Sequence, residues 1–430
     1  MVFSRFIGLA AAVFSLRAGG AFIQFTFQIL VARQWGVENF GVFSTAFTVT
    51  IISSMIARWG VDQWVLRELS AVTAIGNTRN FVSVLMNGMI FVLGVSALVT
   101  ICLWSSSGKI TSLFISKDLG DAERLFQILT LSIVPFSLLN FFGESFRAVS
   151  QHLLATFLQT VLVPTLSVLL LLGFFLADAR TLTQVADAYV AACLMAFVVG
   201  ALFVGRMYRV HAGVGHFVWL LKPMAGETTS IAMVVLLSTW LAYADVLILG
   251  YFHGPSEVGL YSAAQRIALL LGFVLMSLNS VLGPKFALLM KQDKHPEAIS
   301  LYKTAIKWTA LIGLPMLVML AVFSDWFLSW FGPAFVDAQY LLLILLTGQA
   351  LNVLTGPVGV LMMMGKHTAI LRLYVGITTL THIPAALVLT PLFGAAGAAA
   401  ATSISIIMLN VLCWRFVEGW RKSGCRVEAQ

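Results

Sequence analysis

Gly36-Val-Glu-Asn-Phe-Gly-Val-Phe-Ser-Thr-Ala46 and Gly254-Pro-Ser-Glu-Val-Gly-Leu-Tyr-Ser-Ala-Ala264 are two versions of one connector, 218 positions apart in a chain of 430 residues. Gly36, Gly41, Ser44 and Ala46 align with Gly254, Gly259, Ser262 and Ala264, and Phe43 aligns with Tyr261. Each copy is a short polar break between two long apolar runs. A connector repeated near the midpoint predicts two similar halves. In a membrane, such repeats build transporters whose substrate site lies between the halves.

Working outward, the composition places the chain in a membrane. Hydrophobic residues make up 60% and charged residues 10%, and mean hydropathy is +0.95, more apolar surface than a soluble domain needs. The apolar runs are too long for barrel strands of roughly 10 residues and lack alternation of period two. The fold class expected is therefore all-α and polytopic. The first run, 6–32, exceeds the ~7–15 residues of a signal-peptide core and reads as an uncleaved first span. Of the four cysteines, Cys102, Cys193 and Cys413 fall in apolar runs and Cys425 in the tail. None has zinc or disulfide spacing, so they read as small buried hydrophobes.

Twelve runs of about 20 residues or more are candidate spans: 6–32, 40–66, 81–103, 125–149, 153–177 and 183–205, then 224–250, 256–282, 303–323, 336–363, 367–391 and 394–417. The same offset of 218 carries Phe6 onto Met224, where the seventh run starts. The expected organisation is a six-helix lobe over 1–205, a basic amphipathic linker over 206–223, a second six-helix lobe over 224–417 and a tail over 418–430. With the N-terminus inside, eighteen of the 26 Lys and Arg lie on the cytoplasmic side, five lie opposite, and three lie within spans. That bias puts both termini in the cytoplasm. It also accounts for the net charge of +8 without nucleic acid. An even number of spans per half makes the halves parallel repeats around a central cavity.

Charges inside spans cost at least ~2.5–3.5 kcal/mol each at the bilayer centre and mark candidate functional residues. Arg17, Arg58 and Arg266 are the three cations away from the cytoplasmic ends of the spans that hold them. Arginine stays charged and binds phosphate oxygens through a planar fork, so a cationic cavity for an anionic cargo is one reading; internal ion pairs are the other. Asp62 lies four residues after Arg58, on the same helical face, and can neutralise it. Glu144 and Arg147 read as a structural pair. Asp245, without a local partner, is a candidate ion-coupling residue or a counter-ion to an arginine. His382, the one histidine placed within the membrane, reads more readily as a satisfied packing residue than as a proton relay. Prolines and glycines inside spans, including Pro164, Pro315, Gly356 and Pro384, predict bent helices. The run Gly394–Ala401 predicts close helix packing.

Enzyme signatures are missing. Gly359-Val-Leu-Met-Met-Met-Gly365-Lys366 has five residues between its glycines rather than four and no Ser or Thr after Lys366, so it is not a phosphate-binding loop. The seven histidines show no metal-ligand spacing. No cofactor is expected, apart from coupling to an ion gradient. A membrane-embedded glycan polymerase or ligase would need a large outward loop, and the longest polar stretch outside, 105–124, is only about 20 residues.

Three passages carry a family resemblance: Val31-Ala-Arg-Gln-Trp-Gly-Val-Glu-Asn-Phe-Gly-Val-Phe-Ser-Thr-Ala46; Gly60-Val-Asp-Gln-Trp-Val-Leu-Arg-Glu-Leu-Ser70; and 244–267 across the second connector. With 391–405, they resemble the polysaccharide-repeat flippases, the O-antigen and exopolysaccharide transporters of the multidrug/oligosaccharidyl-lipid/polysaccharide exporter superfamily. The resemblance runs the whole length. It implies twelve helices in two lobes and an undecaprenyl-diphosphate-linked oligosaccharide as cargo, flipped by alternating access in the cell inner membrane. Glycosyltransferases and a glycan polymerase are the protein partners it suggests. The related lipid II flippases also carry arginines in helices 1, 2 and 8, which Arg17, Arg58 and Arg266 match by helix. The alternative function is a cation-coupled multidrug antiporter of the same superfamily.

Overall fold

The computed structural model describes residues 2–75, 78–114, 121–177, 181–211, 218–365 and 367–423. Every described element is helical. Much of the expected linker (212–217) and most of the tail (424–430, with Cys425) lie outside the described residues.

Among the described residues, eight helices are long and apolar enough to cross a membrane, and Gly226–Leu237 with Thr239–His253, bent by 49°, makes a ninth. The twelve expected spans are not separately distinguished, because helices join across kinks. Val2–Arg58 and Thr368–Lys422 are kinked helical segments of 57 and 55 residues. At about 1.5 Å per residue, either would be more than twice the ~30 Å hydrocarbon core. Each is broken by one glycine: Gly36 at φ 76°, ψ −178° and Gly394 at φ 59°, ψ −138°. These dihedrals suit a residue without Cβ. Leu98, Ile101, Leu169, Leu202, Leu311 and Leu380 are exposed, as apolar helices facing lipid require.

The chain divides into two compact units. One comprises Ser15–Trp35 and Val42–Tyr243. Its core is aromatic: Phe142 stacks on Phe197 at 5.9 Å, and Phe47 meets Tyr189 edge-on at 5.1 Å. Gly88 admits Phe141 and Val65 so closely that a Cβ would stand 2.7 Å and 2.8 Å from their side chains. Hydroxyls in this apolar setting bond back to the preceding turn, as Thr100 does to the Ser96 carbonyl (2.8 Å) and Ser167 to the Val163 carbonyl (2.9 Å). The pattern leaves few polar atoms to the lipid.

The other unit comprises Met1–Phe14, Gly36–Gly41 and Ala244–Gln430. Phe286, Tyr302, Met362, Cys413 and Trp420 form its apolar core. It also contains the second connector of the repeat and the Gly36–Gly41 part of the first. Gly254 has φ 81°, ψ −173°, nearly the backbone of Gly36. Pro255 then opens the next helix with a pre-organised φ. The connectors touch reciprocally: a Cβ on Gly41 would lie 1.8 Å from the Pro255 carbonyl oxygen, and one on Gly259 would lie 2.1 Å from the Val37 carbonyl oxygen. Shifting 37 and 41 by 218 gives 255 and 259, so the two contacts are one contact made twice. Close packing also holds the hairpin at Gly394, where a Cβ on Gly397 would stand 2.0 Å from the Leu389 carbonyl oxygen. The Glu257 carboxylate accepts the Ala395 N–H at 2.8 Å, satisfying a helix-start donor that would otherwise lack a partner.

Candidate functional site

Two groups of polar side chains lie inside apolar helices, one in each unit. The first is built on Ile133–Ala148 and the neighbouring π-helical turn Phe157–Leu162. Arg147 donates to the Glu144 carboxylate at 2.6 Å and to the side-chain carbonyl of Gln159. The Gln159 amide in turn donates to Glu144 Oε1 at 3.1 Å and to the Asn140 carbonyl at 3.0 Å. A π turn shifts side chains relative to a regular helix, and here it directs Gln159 at the 140–147 face. Gly143 makes room: a Cβ there would stand 2.3 Å from the Gln159 amide nitrogen. Gly20 lets the first helix touch the same turn, with a would-be Cβ 2.2 Å from the Thr160 carbonyl oxygen. Arg17, one turn before Gly20, is exposed and lies within Coulombic range of Arg147 and Glu144.

Arg58 belongs to the same unit but is spoken for. Its guanidinium meets Asp62 at 3.0 Å and donates to the Ser54 carbonyl at 3.3 Å. Both side chains are nearly buried, at 11% and 13% exposure. That arrangement is an internal ion pair, one of the two readings the sequence allowed.

The second group centres on Asp245, which is 2% exposed. Its Oδ2 accepts from the Tyr261 hydroxyl at 3.1 Å and from Thr402. Its Oδ1 faces His382 Nε2 at 3.2 Å, without hydrogen-bond alignment. His382, fully buried, meets the Ser405 hydroxyl at 2.9 Å through Nδ1. The contact becomes an ion pair once the imidazole carries its second proton. Asp245, without a local partner in sequence, thus has distant ones, and among the described residues none of its contacts is an arginine. His382, expected to be a packing residue, is its partner. Arg266, on Pro255–Ala268, is half-buried.

The repeat shows what this cluster is not needed for. Shifting by 218 carries Asp245 to Phe27 and Tyr261 to Phe43. Those two phenylalanines pack edge-to-face at 6.0 Å. The fold accepts an apolar pair at this place in one half and carries a carboxylate and a phenol in the other. Burying ionisable groups is costly, so the polar version answers to something other than packing. Gln159, Thr402 and Ser405 were not singled out from sequence, where nothing local marks them. Tyr261 was visible as the hydroxyl by which the second connector differs from Phe43. An apolar groove of about 600 Å³, lined by Leu314, Pro315, Val318, Met319, Val322 and Phe323, shares no residue with either cluster.

Comparison with known proteins gives the family and the fold. Residues 30–336 match the profile of a family described as "Polysaccharide biosynthesis protein". Over 172 residues the chain is 25% identical to the probable low-salt glycan biosynthesis flippase Agl15 of Haloferax volcanii, a match covering 40% of this chain and 36% of that protein. The chain thus spans about a third of the length of that curated relative. Among solved structures, the lipid II flippase MurJ in an inward closed conformation superposes with a TM-score of 0.75 at 16% identity, over 96% of this chain and 87% of that one. An inward-facing multidrug resistance MATE family transporter of the MOP superfamily gives 0.76 at 15% identity, over 98% and 100%. At such identities the likeness concerns the fold, which is that of membrane transporters.

Proposed function

The chain belongs to the polysaccharide biosynthesis protein family, and from that premise we propose that it is a flippase for an undecaprenyl-diphosphate-linked oligosaccharide. The cargo passes from the cytoplasmic to the outer leaflet of the inner membrane, by alternating exposure of a mid-membrane site, to supply surface polysaccharide synthesis. Membrane-spanning helices, a flippase among the relatives and the transporter fold support the reading. The observation that carries it is charge placement. Arg17 is exposed and Arg147 partly exposed, while Glu144 lies beneath at 7% side-chain exposure. A cationic face inside an apolar bundle suits a diphosphate. Arg266 is proposed as a further cargo contact, and Arg58 contributes through its paired form with Asp62.

Ion coupling is assigned to Asp245 with His382. A carboxylate and an imidazole 3.2 Å apart can exchange a proton with little movement, and their hydroxyl neighbours hold either charge state. A cation-coupled multidrug antiporter would share such a group but has no use for the exposed arginines. Both termini are proposed to be cytoplasmic, with lobes over 1–205 and 224–417, and glycosyltransferases and a polymerase as functional partners.

The test is glycan export measured beside protein abundance. Arg17→Ala and Arg266→Ala are expected to lose export at normal abundance, with partial rescue by Lys. Normal export by both would remove the cationic-cargo argument. A Ser256→Cys variant should react with an impermeant thiol reagent in intact cells, while Cys425 stays protected; labelling of the tail would reverse the orientation.

A further inference from the structure

Glu144 is the one acid in the first cluster, and its surroundings are unequal. Oε1 receives Arg147 at 2.6 Å and Gln159 at 3.1 Å. Oε2 is buried and has no hydrogen-bond partner among the described residues. The carboxylate sits below the guanidinium, with 7% side-chain exposure against 23% for Arg147. Gln159 clamps the other end of the same guanidinium through its side-chain carbonyl. Arginine has five N–H donors in a fixed plane, and two anchors from below leave the remaining donors for a ligand above. The first helix meets this turn at Gly20, which brings Arg17 alongside. Two cations and one anion leave a net charge of +1 on the accessible face.

We propose that Arg147 joins Arg17 in a phosphate-binding site, that Gln159 and Glu144 position its guanidinium, and that Glu144 holds the site's charge low enough for the phosphate to leave. The inference rests on the flippase reading and sharpens it. A purely structural pair would need neither the exposed guanidinium nor the second anchor supplied from a π turn. A transport site must bind its cargo and then release it, so binding has to stay moderate. An acid beneath two arginines does that: it attracts them together and weakens what they attract.

The probe is inorganic pyrophosphate, titrated by calorimetry into the full-length protein in zwitterionic nanodiscs at low salt. Glu144→Gln keeps the size and hydrogen-bonding capacity of the side chain and raises the net charge from +1 to +2. It should tighten pyrophosphate binding about tenfold, an advantage that shrinks as salt screens the charges, and it should slow export. Gln159→Leu should weaken binding with Arg147 intact, and Arg147→Gln should abolish it. If Glu144→Gln lowers the melting temperature too far to titrate, Glu144→Asp tests the same point, because a retracted carboxylate should also tighten binding, by less.

Wild-type binding with no tightening in either Glu144 variant overturns the inference and leaves the flippase reading standing. Failure of wild type and every variant to bind overturns both. Displacement of pyrophosphate by phosphatidylglycerol at equal concentration would mark a lipid-headgroup site and overturn the cargo assignment. Wild-type affinity in Gln159→Leu would remove the positioning role.

Discussion

Replacing Gly41 or Gly259 by alanine should force the two connectors apart. The new Cβ would stand 1.8 Å from the Pro255 carbonyl oxygen in one variant and 2.1 Å from the Val37 carbonyl oxygen in the other. Real Cβ atoms essentially never approach a heavy atom below 3.0 Å. The backbones must therefore separate by at least 3.0 − 1.8 = 1.2 Å or 3.0 − 2.1 = 0.9 Å. The obstacle is backbone in both cases, so no side chain can swing away. Overpacking of this kind costs about 1–3 kcal/mol. For a unit of about 200 residues that is roughly 2–12 °C in melting temperature. Because the contacts are reciprocal, the double variant should cost less than the sum of the singles: the first separation makes room for the second Cβ. Thermal unfolding of the purified full-length protein in detergent measures all three. Gly19→Ala is the control, since nothing lies within 4 Å of its Cβ. If Gly41→Ala and Gly259→Ala melt with the Gly19→Ala protein, the connectors do not touch as described. Full additivity would refute the shared contact.

Removing His382 as His382→Ala should leave the buried Asp245 with Tyr261 and Thr402 at Oδ2 but no imidazole at Oδ1, appearing as lower abundance because a buried charge has lost a partner. The double change Asp245→Phe with Tyr261→Phe copies the Phe27–Phe43 pair and should restore abundance while leaving gradient-driven transport in vesicles lost; coupled transport by that variant would refute the coupling role. His367, at the break before Thr368, is held below the ordinary histidine value by burial and then by neighbouring His295. Between the folded and unfolded values the unfolded chain binds more protons, so this contribution to stability is present above about pH 6.5 and lost as pH falls below it. The melting temperature should drop between pH 7.5 and 5.5, and less so in His367→Gln; equal drops would exclude His367 as the source. Glu257→Ala should strip the carboxylate from the Ala395 N–H and cost about 1 kcal/mol, read as a lower melting temperature than that of Glu257→Gln.

Much of the architecture was legible in the chain because its causes are local. Apolar length dictates membrane helices, since a backbone in lipid must satisfy its own hydrogen bonds. The connector repeat foretold like backbone at Gly36 and Gly254, because that conformation belongs to the glycine itself. Arg58 and Asp62 are only four positions apart, so both readings could be written down beforehand, although the pair forms across the break at Trp59 (φ 42°) and Gly60 (φ 73°) and not on one continuous helical face.

Tertiary structure decided everything that depends on residues far apart in sequence. Asp245 looked partnerless because His382 and Thr402 arrive from helices more than 130 positions away, and no periodicity encodes which helices adjoin. Glu144 and Arg147 read as a pair from their spacing and are one, but Gln159, which joins them, comes from a π turn that propensity does not signal. The mismatch of Phe43 with Tyr261 stood in the sequence, but its meaning waited on Asp245 occupying the place of Phe27. Amphipathic pattern and turn chemistry are properties of a segment and can be read along it. The partner of a buried charge is a property of the assembled bundle, because desolvation makes pairing compulsory while leaving the partner to be chosen by whichever helix the packing brings alongside.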